Sequence, residues 1–331
     1  MKKTFNFSKL RLLTVLLLLL LSALAIWFYN NQKPSNVVIG INSWMGFDPL
    51  ILADEKGFFE KNNVQVTVQQ FASTGDSVKA FKEGRIEAAG LTLDEAFSLI
   101  GAGYSGKIVL VVDFSQGGDM IIGQTGVHTI SDLKGKRVGY EETVVGGFLL
   151  QRALQSNYIK SEEVQLVNVA AENWLESFKN KDIDALVCFN PVSTILLKEE
   201  GGNLLFSSKN IPFEIIDVLL FSDKYYENNK TAVKKIVQAW FKAVDYLDQE
   251  LDDAAIVIAN RKGITPEIFK AGLAGLHIPK LNENQQMLKI HSGDNLHKYS
   301  QNIIDFMLEK GLLNSRISTL DVFDDSIVSE I

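Results

Sequence analysis

The chain has 331 residues, 46% of them hydrophobic, which is enough for one or two full cores. Its formal net charge of -7, with no basic stripe interleaved with aromatics, argues against a nucleic-acid partner. Cys188 is the only cysteine, so an internal disulfide and a cysteine-rich metal site are excluded.

The N-terminus reads as an export segment. Lys2, Lys3, Lys9 and Arg11 precede an apolar run from Leu12 to Tyr29, broken only by Thr14 and Ser22. Two readings stay open. Ala23-Leu24-Ala25 offers a signal-peptidase site. Alternatively residues 1–29 are retained as a signal anchor, an N-terminal hydrophobic helix whose apolar run spans roughly 27 Å at ~1.5 Å per residue, about one bilayer core. Ile26-Trp27-Phe28 disfavours cleavage and suits a membrane interface. In both cases the positive charges hold the N-terminus in the cytoplasm and send the rest of the chain outward. Asn30–Asn36 is a polar linker.

From there strand and helix patterns alternate, which predicts α/β architecture with mainly parallel sheets. Val37–Ile41 is a β-branched strand, followed by an aromatic, glycine-containing loop, Asn42–Asp48. Pro49 suits the first turn of a helix carrying Leu50, Ile51, Ala53, Phe58 and Phe59. Val64, Val66 and Val68 alternate with polar residues at strand period. Further strands are predicted at 86–91, 107–114, 120–124, 137–140, 164–169, 185–189 and 216–221, with a helix over 146–156. From Thr231 the pattern is helical. Val233, Ile236, Val237, Trp240, Val244 and Leu247 form one apolar stripe, and more helices follow at 254–259, 266–276 and 302–313. Gly263 and Gly311 stand where C-caps belong.

Nothing in the chain has the pattern of a catalyst. G-x-S-x-G, H-E-x-x-H and P-loop patterns are missing. His291 and His297 are six residues apart, on different helix faces, so no metal site and no cofactor are expected.

Trp44-x-Gly46-x-x-Pro49-Leu50, followed by Lys56-Gly57-Phe58-Phe59-Glu60-Lys61, resembles the opening of the nitrate/sulfonate/taurine and thiamine-pyrimidine group of ABC-transporter solute-binding proteins. The resemblance runs from about Asn36 to the C-terminus. It implies the two-lobed type II periplasmic-binding-protein fold, each lobe a mainly parallel sheet flanked by helices. It implies one lobe from 36–118 with 222–331, a second from 119–221, and crossovers near 116–124 and 212–221. No cysteine follows the apolar run, so the family's usual lipoprotein anchor is not expected. A pyrimidine synthase of thiamine biosynthesis shares the fold but depends on a cysteine-rich segment and works in the cytoplasm. An enzyme is therefore not expected.

Ligands of open α/β sheets bind outside the carboxyl ends of the strands. The loops there hold aromatics, hydroxyls, glycines and carboxylates, and none holds Lys or Arg. Carried over by resemblance, the ligand-binding set is Trp44, Gly46, Phe47, Ser73, Thr74, Thr92, Asp94, Ser115, Asp119, Glu142, Thr143, Asn190 and Asp217. Asp113-x-Ser115-x-Gly117-Gly118-Asp119-x-Ile121 resembles the first crossover of one branch, with Gly118 replacing the usual Ala. Pro212–Asp217 resembles the returning one, and Asn190 stands where many relatives have an acid. Ser73, Thr74 and Thr92 either cap helices or face the ligand. Trp44 and Phe47 either wall the ligand or pack in the core.

Carboxylates around one cleft favour a ligand with an amine, amidine or aminopyrimidine group. A sulfonate or nitrate held by helix N-termini is the alternative. The expected function is that of a periplasmic, monomeric binding protein, soluble or tethered to the inner membrane, that delivers its ligand to an ABC permease and its ATPase. A membrane-anchored ligand sensor is the other reading.

Overall fold

The computed structural model describes residues 15–22, 24, 36–142, 144–290, 293 and 295–331. They fall into two compact units, 1–35 and 36–331. In the first unit, residues 15–22 and 24 are helical, with exposed leucine side chains. The positive residues before them, Ala25 of the cleavage site, residues 26–29 and the polar linker as far as Ser35 lie outside the described residues, and Asn36 already opens the first strand. Among the described residues no helix is long and apolar enough to cross a membrane.

The second unit contains eleven strands among its described residues. They are β1 (Asn36–Ile41), β2 (Gln65–Gln70), β3 (Ala88–Thr92), β4 (Gly106–Ser115), β5 (Asp119–Gly123), β6 (Arg137–Tyr140), β7 (Gln165–Asn168), β8 (Ala185–Phe189), β9 (Asn203–Ser207), β10 (Ile216–Ser222) and β11 (Leu276–His277). They form two sheets. The six-stranded sheet has the order β11-β4-β10-β3-β1-β2, and the five-stranded sheet β7-β6-β8-β5-β9. β1 is parallel to β2 and β3, and β6 is parallel to β7 and β8. β10 runs antiparallel between β3 and β4, and β5 antiparallel between β8 and β9. Each sheet therefore has a parallel frame with one reversed strand inserted between two of its members, and the short β11 adds a second antiparallel pairing at the edge of the six-stranded sheet. The inserted strand is in each case the first one reached after the chain crosses from the other sheet.

The strand chemistry explains the order. β4 carries the run Ile108–Val112, fully buried, as a strand covered on both faces must be. β1 and β3 are likewise buried, whereas β2 and β7 alternate or are exposed and stand at sheet edges.

The crossovers are shorter than the sequence implied. The first is Gln116–Gly118, since Asp119–Gly123 is already strand in the second sheet. The second is 208–215. β10, allotted from sequence to the second lobe as far as 221, hydrogen-bonds on both sides within the six-stranded sheet. Several elements, among them β9, β11 and the Trp174–Lys179 and Leu281–Leu288 helices, had no counterpart in the sequence reading.

The tail is helical and belongs to the first sheet. Its longest helix, Asp223–Gln249, packs on the Asp48–Glu55 helix and on β4. The stripe from Val233 to Leu247 is buried, and Trp240 is a core residue. Gly263 ends the Leu251–Lys262 helix at φ 67°, a left-handed conformation open to glycine without strain.

Candidate functional site

The tips of the two sheets face one another across a cavity. In the first sheet, Asp217 at the start of β10 lies opposite Thr92 and Asp113, the ends of its two neighbours. In the second, Asp119 at the start of β5 lies opposite Phe189 at the end of β8. The cavity between them has about 550 Å³ of empty space counted to its mouth, but only about 30 Å³ admits the centre of a water-sized sphere. It is a narrow slot, with room for a few water molecules as it stands.

One wall is the loop after β1, which is pinned at four points. Trp44 N donates to Asn42 Oδ1 at 2.8 Å, and Asn42 Nδ2 donates to Thr74 Oγ1 at 2.7 Å. Trp44 Nε1 donates to Asp113 Oδ2 at 3.0 Å. Lys262 Nζ, from the helical tail, donates to Ser43 O at 2.9 Å and to both Asp48 oxygens at 2.8 and 3.0 Å. A side chain at Gly46 would meet Asp113 Oδ2 at 1.7 Å, so only glycine lets the loop approach β4.

Three aromatic rings line the slot. Phe189 stands edge-on to Trp44 (5.3 Å between centroids) and to Trp174 (4.9 Å). Edge-to-face pairs of this kind fix the ring orientations and leave faces for a guest.

Four carboxyl groups also line it: Glu95, Asp119, Glu141 and Asp217. Asp113 and Asp94 are buried just behind them. Among the described residues, no Lys, Arg or His lines the cavity. Burial without a counter-charge favours the neutral acid. Burial, then the neighbouring Asp94 charge, pushes Glu95 up to about 8. Burial, and further the Asp119 charge, pushes Asp113 up to about 8 despite the Trp44 hydrogen bond. Burial lifts Asp119 to about 7, with Asp94 adding to it. Glu141 rises to about 7 through burial and then Glu172 and Asp76. Asp94 rises to about 6 through burial. Asp217 is raised well above the carboxylate range by burial and then by Asp113 and Asp119. At neutral pH the group therefore shares several protons. Glu95 Oε1 and Asp119 Oδ2 are buried with no hydrogen-bond partner among the described residues.

Of the residues named from sequence, Trp44, Thr74, Thr92, Asp119 and Asp217 line the cavity. The others do not. Asp94 is one helical step away from Glu95, behind the wall. Gly46 lies beneath Trp44 against Asp113. Phe47, 1% exposed, packs on Gly90 in the core, where a side chain on that glycine would meet its ring at 2.6 Å. Ser73 caps the Thr74–Lys82 helix by accepting from Asp76 N at 3.1 Å. Ser115 ties the first crossover, 2.7 Å from Ser208 Oγ and accepting from Asp119 N at 3.2 Å. Glu142 is exposed and accepts from Asn168 Nδ2 at 3.3 Å. Asn190 is buried and accepts from Ser193 and Thr194 at the start of the next helix. Thr143 lies outside the described residues.

The sequence reading missed Asn42, Glu95, Glu141, Trp174 and Phe189 as cavity residues. Glu141 and Asn42 stood in loops already singled out. Phe189 immediately precedes the chosen Asn190. Glu95 and Trp174 gave no signal beyond being an acid and an aromatic near a helix start. Among the described residues, no group of three His, Cys, Asp or Glu is placed to hold a metal ion. His277 pairs with Glu283 and His297 with Thr319, away from the slot, and His291 lies outside the described residues.

Comparison with known proteins agrees with this architecture. The model of the NMT1-like family matches residues 30–260. A binding protein of Brucella abortus is 23% identical over 300 residues, covering 86% of this chain and 88% of its own. An ABC transporter periplasmic binding protein of Brachyspira hyodysenteriae is 21% identical over 290 residues, covering 82% and 81%. The alkanesulfonate-binding protein of Xanthomonas axonopodis pv. citri, solved with MOPS bound, superposes with a TM-score of 0.71 at 18% identity, covering 88% of this chain and 99% of its own. The chain belongs to the NMT1-like family and has the two-lobed periplasmic-binding-protein fold.

Proposed function

We propose that this chain is the solute-binding component of an ABC importer whose ligand carries an amine, amidine or aminopyrimidine nitrogen. One observation carries the ligand class. Glu95, Asp119, Glu141 and Asp217 converge on a cavity walled by Trp44, Trp174 and Phe189, with no basic side chain on its lining among the described residues.

The energies favour a cation. Unit charges ~4 Å apart interact by about 4 kcal/mol at an effective dielectric of 20. A neutral hydrogen bond contributes about 1 kcal/mol. A cation over an indole face adds about 0.5–2 kcal/mol. The same acids repel a sulfonate or nitrate. At two helix starts beside the cavity one N–H is already taken by the chain's own oxygens: Thr92 N donates to Glu95 Oε2 at 3.2 Å, and Asp76 N to Ser73 Oγ.

Capture follows from the two crossovers. Residues 116–118 and 208–215 are the links through which the lobes hinge, and closure brings Asp119, Glu141 and Trp174 of the second lobe onto a ligand resting on Trp44 and Asp217 of the first. The closed monomer then docks on a permease outside the cytoplasmic membrane. ATP hydrolysis elsewhere drives release, and no bond in the ligand is broken. The chain is either cleaved near Ala25 on export or kept tethered by residues 12–29.

Calorimetry with the ligand identified by native mass spectrometry tests this reading. Asp119→Asn and Asp217→Asn are each expected to weaken binding by about tenfold or more, the loss of a charged hydrogen bond of roughly 1.5–3 kcal/mol. Unchanged affinities in both variants rule the reading out.

A further inference from the structure

We propose that protons gate this cleft: acidification closes it when empty, and alkaline pH holds it open until a cationic ligand enters. The inference rests on reading the cavity as a ligand cleft between two moving lobes. Its ground is where the acids stand. They do not belong to one lobe but oppose each other across the slot.

On the second-sheet side, Glu141 follows β6, and Glu172 stands on the 171–173 turn. On the first-sheet side, Glu95 is in the helix after β3 and Asp76 in the helix after β2. The Glu141 carboxyl feels both Glu172 and Asp76, and Glu95 feels Glu141. The floor adds one acid from each sheet. Asp119 begins β5 and Asp217 begins β10, and the two charges act on one another. Behind Asp217, Asp113 on β4 and Asp94 add to the same field. Cys188, the remaining titratable group on the lining, is held neutral by burial and the Asp119 charge.

Closing such a slot brings acid onto acid and removes water from both. Either change disfavours ionised carboxylates. The closed form therefore binds more protons than the open form, and by linkage lower pH favours it. A cationic ligand supplies the positive charge instead and releases those protons as it binds. Deposition of one positive charge by either route is the switch, and the two-lobed hinge is the bistable element it biases.

The test measures lobe separation in the full chain without added ligand. Spin labels are placed on Gln69→Cys and Asn180→Cys, two exposed positions, one beside each sheet. Cys188, 2% exposed, stays unlabelled. If closure takes up one proton, the closed-to-open ratio changes by about tenfold per pH unit across the titrating range, so about pH 5.5 and about pH 8.5 are expected to give mainly short and mainly long distances. The double variant Glu95→Gln with Glu141→Gln keeps the helix cap, since glutamine serves at that position. It is expected to lose most of the pH response and to favour the short distance at both values. Two populations whose ratio ignores pH overturn the gate and leave the binding-protein reading standing. A single distance at every pH likewise overturns the gate, while the binding-protein reading stands or falls on the calorimetry of Asp119→Asn and Asp217→Asn. A full pH response retained in the double variant overturns the assignment to these acids.

Discussion

Trp44 Nε1 and Asp113 Oδ2 lie 3.0 Å apart, a buried hydrogen bond that fastens the ligand-side loop to the end of β4 in the first sheet. It satisfies an indole N–H that would otherwise be stranded, and it gives a buried carboxyl one donor. The residue that walls the cavity is thus oriented by an acid that never reaches it.

Trp44→Phe removes that donor and the indole face together. Ligand affinity is expected to fall about 3- to 30-fold, the range of a lost cation–π contact. Stability is expected to fall by about 1–3 kcal/mol above pH 8, where Asp113 is ionised, and by less at pH 5.5, where it is protonated. Calorimetry and urea unfolding at the two pH values check both.

Gly46→Ala places a methyl group 1.7 Å from Asp113 Oδ2 and 2.5 Å from Trp44 Nε1. The loop must lift, so a loss of about 1–3 kcal/mol in stability and of most ligand binding is expected. Adding Asp113→Ala removes the obstacle, and the double variant is expected to regain part of the stability. Unfolding midpoints of the three proteins decide.

Lys262 and Asp48 form an ion pair with side chains only 4% and 1% exposed, and Lys262 also holds Ser43 O. Lys262→Met leaves a carboxyl buried without its partner, and a cost of about 3–5 kcal/mol is expected. Asp48→Asn in the same background is expected to recover much of it. Even with Lys262 present, burial raises Asp48 to about 6. A raised carboxyl stabilises fully below its unfolded value near 4 and loses that contribution as pH rises through the folded value. The Lys262→Met deficit is therefore expected to be larger at pH 8 than at pH 5, as differential scanning calorimetry would show.

The same sign governs the cleft. Glu95 rises from 4.5 to about 8, so the folded state holds its proton over that window while the unfolded state has lost it. Wild-type stability is expected to decline as pH rises through the window. Glu95→Gln, with no charge to bury, is expected to be about 1–3 kcal/mol more stable than wild type near pH 9 and close to it near pH 4.5. Thermal unfolding across the range measures the crossover.

The β4 run and the buried stripe ending in Leu247 were legible in the periodicity of the sequence. That Trp44, Asp119 and Asp217 stand at one cavity was implied only by the family resemblance, not by any local pattern. What failed turned on single rotations. Trp44 and Phe47 share a loop, but the helical turn at Met45–Phe47 swings the second ring onto Gly90, a vacancy in β3 that its own strand pattern does not advertise. Asp94 and Glu95 are adjacent, and a helix turns about 100° per residue, so only one of them meets the cavity. The reversed strand β10 reads like any apolar strand, and nothing local in it says which sheet it rejoins.

The most direct test of a cationic ligand is native mass spectrometry of the purified full chain, followed by identification of the released small molecule. The expected result is a compound with a basic or amino nitrogen and no net negative charge, displaced on raising salt or on Asp119→Asn. A bound sulfonate, nitrate or other anion, retained by the Asp119→Asn protein with equal or greater affinity, would contradict the account.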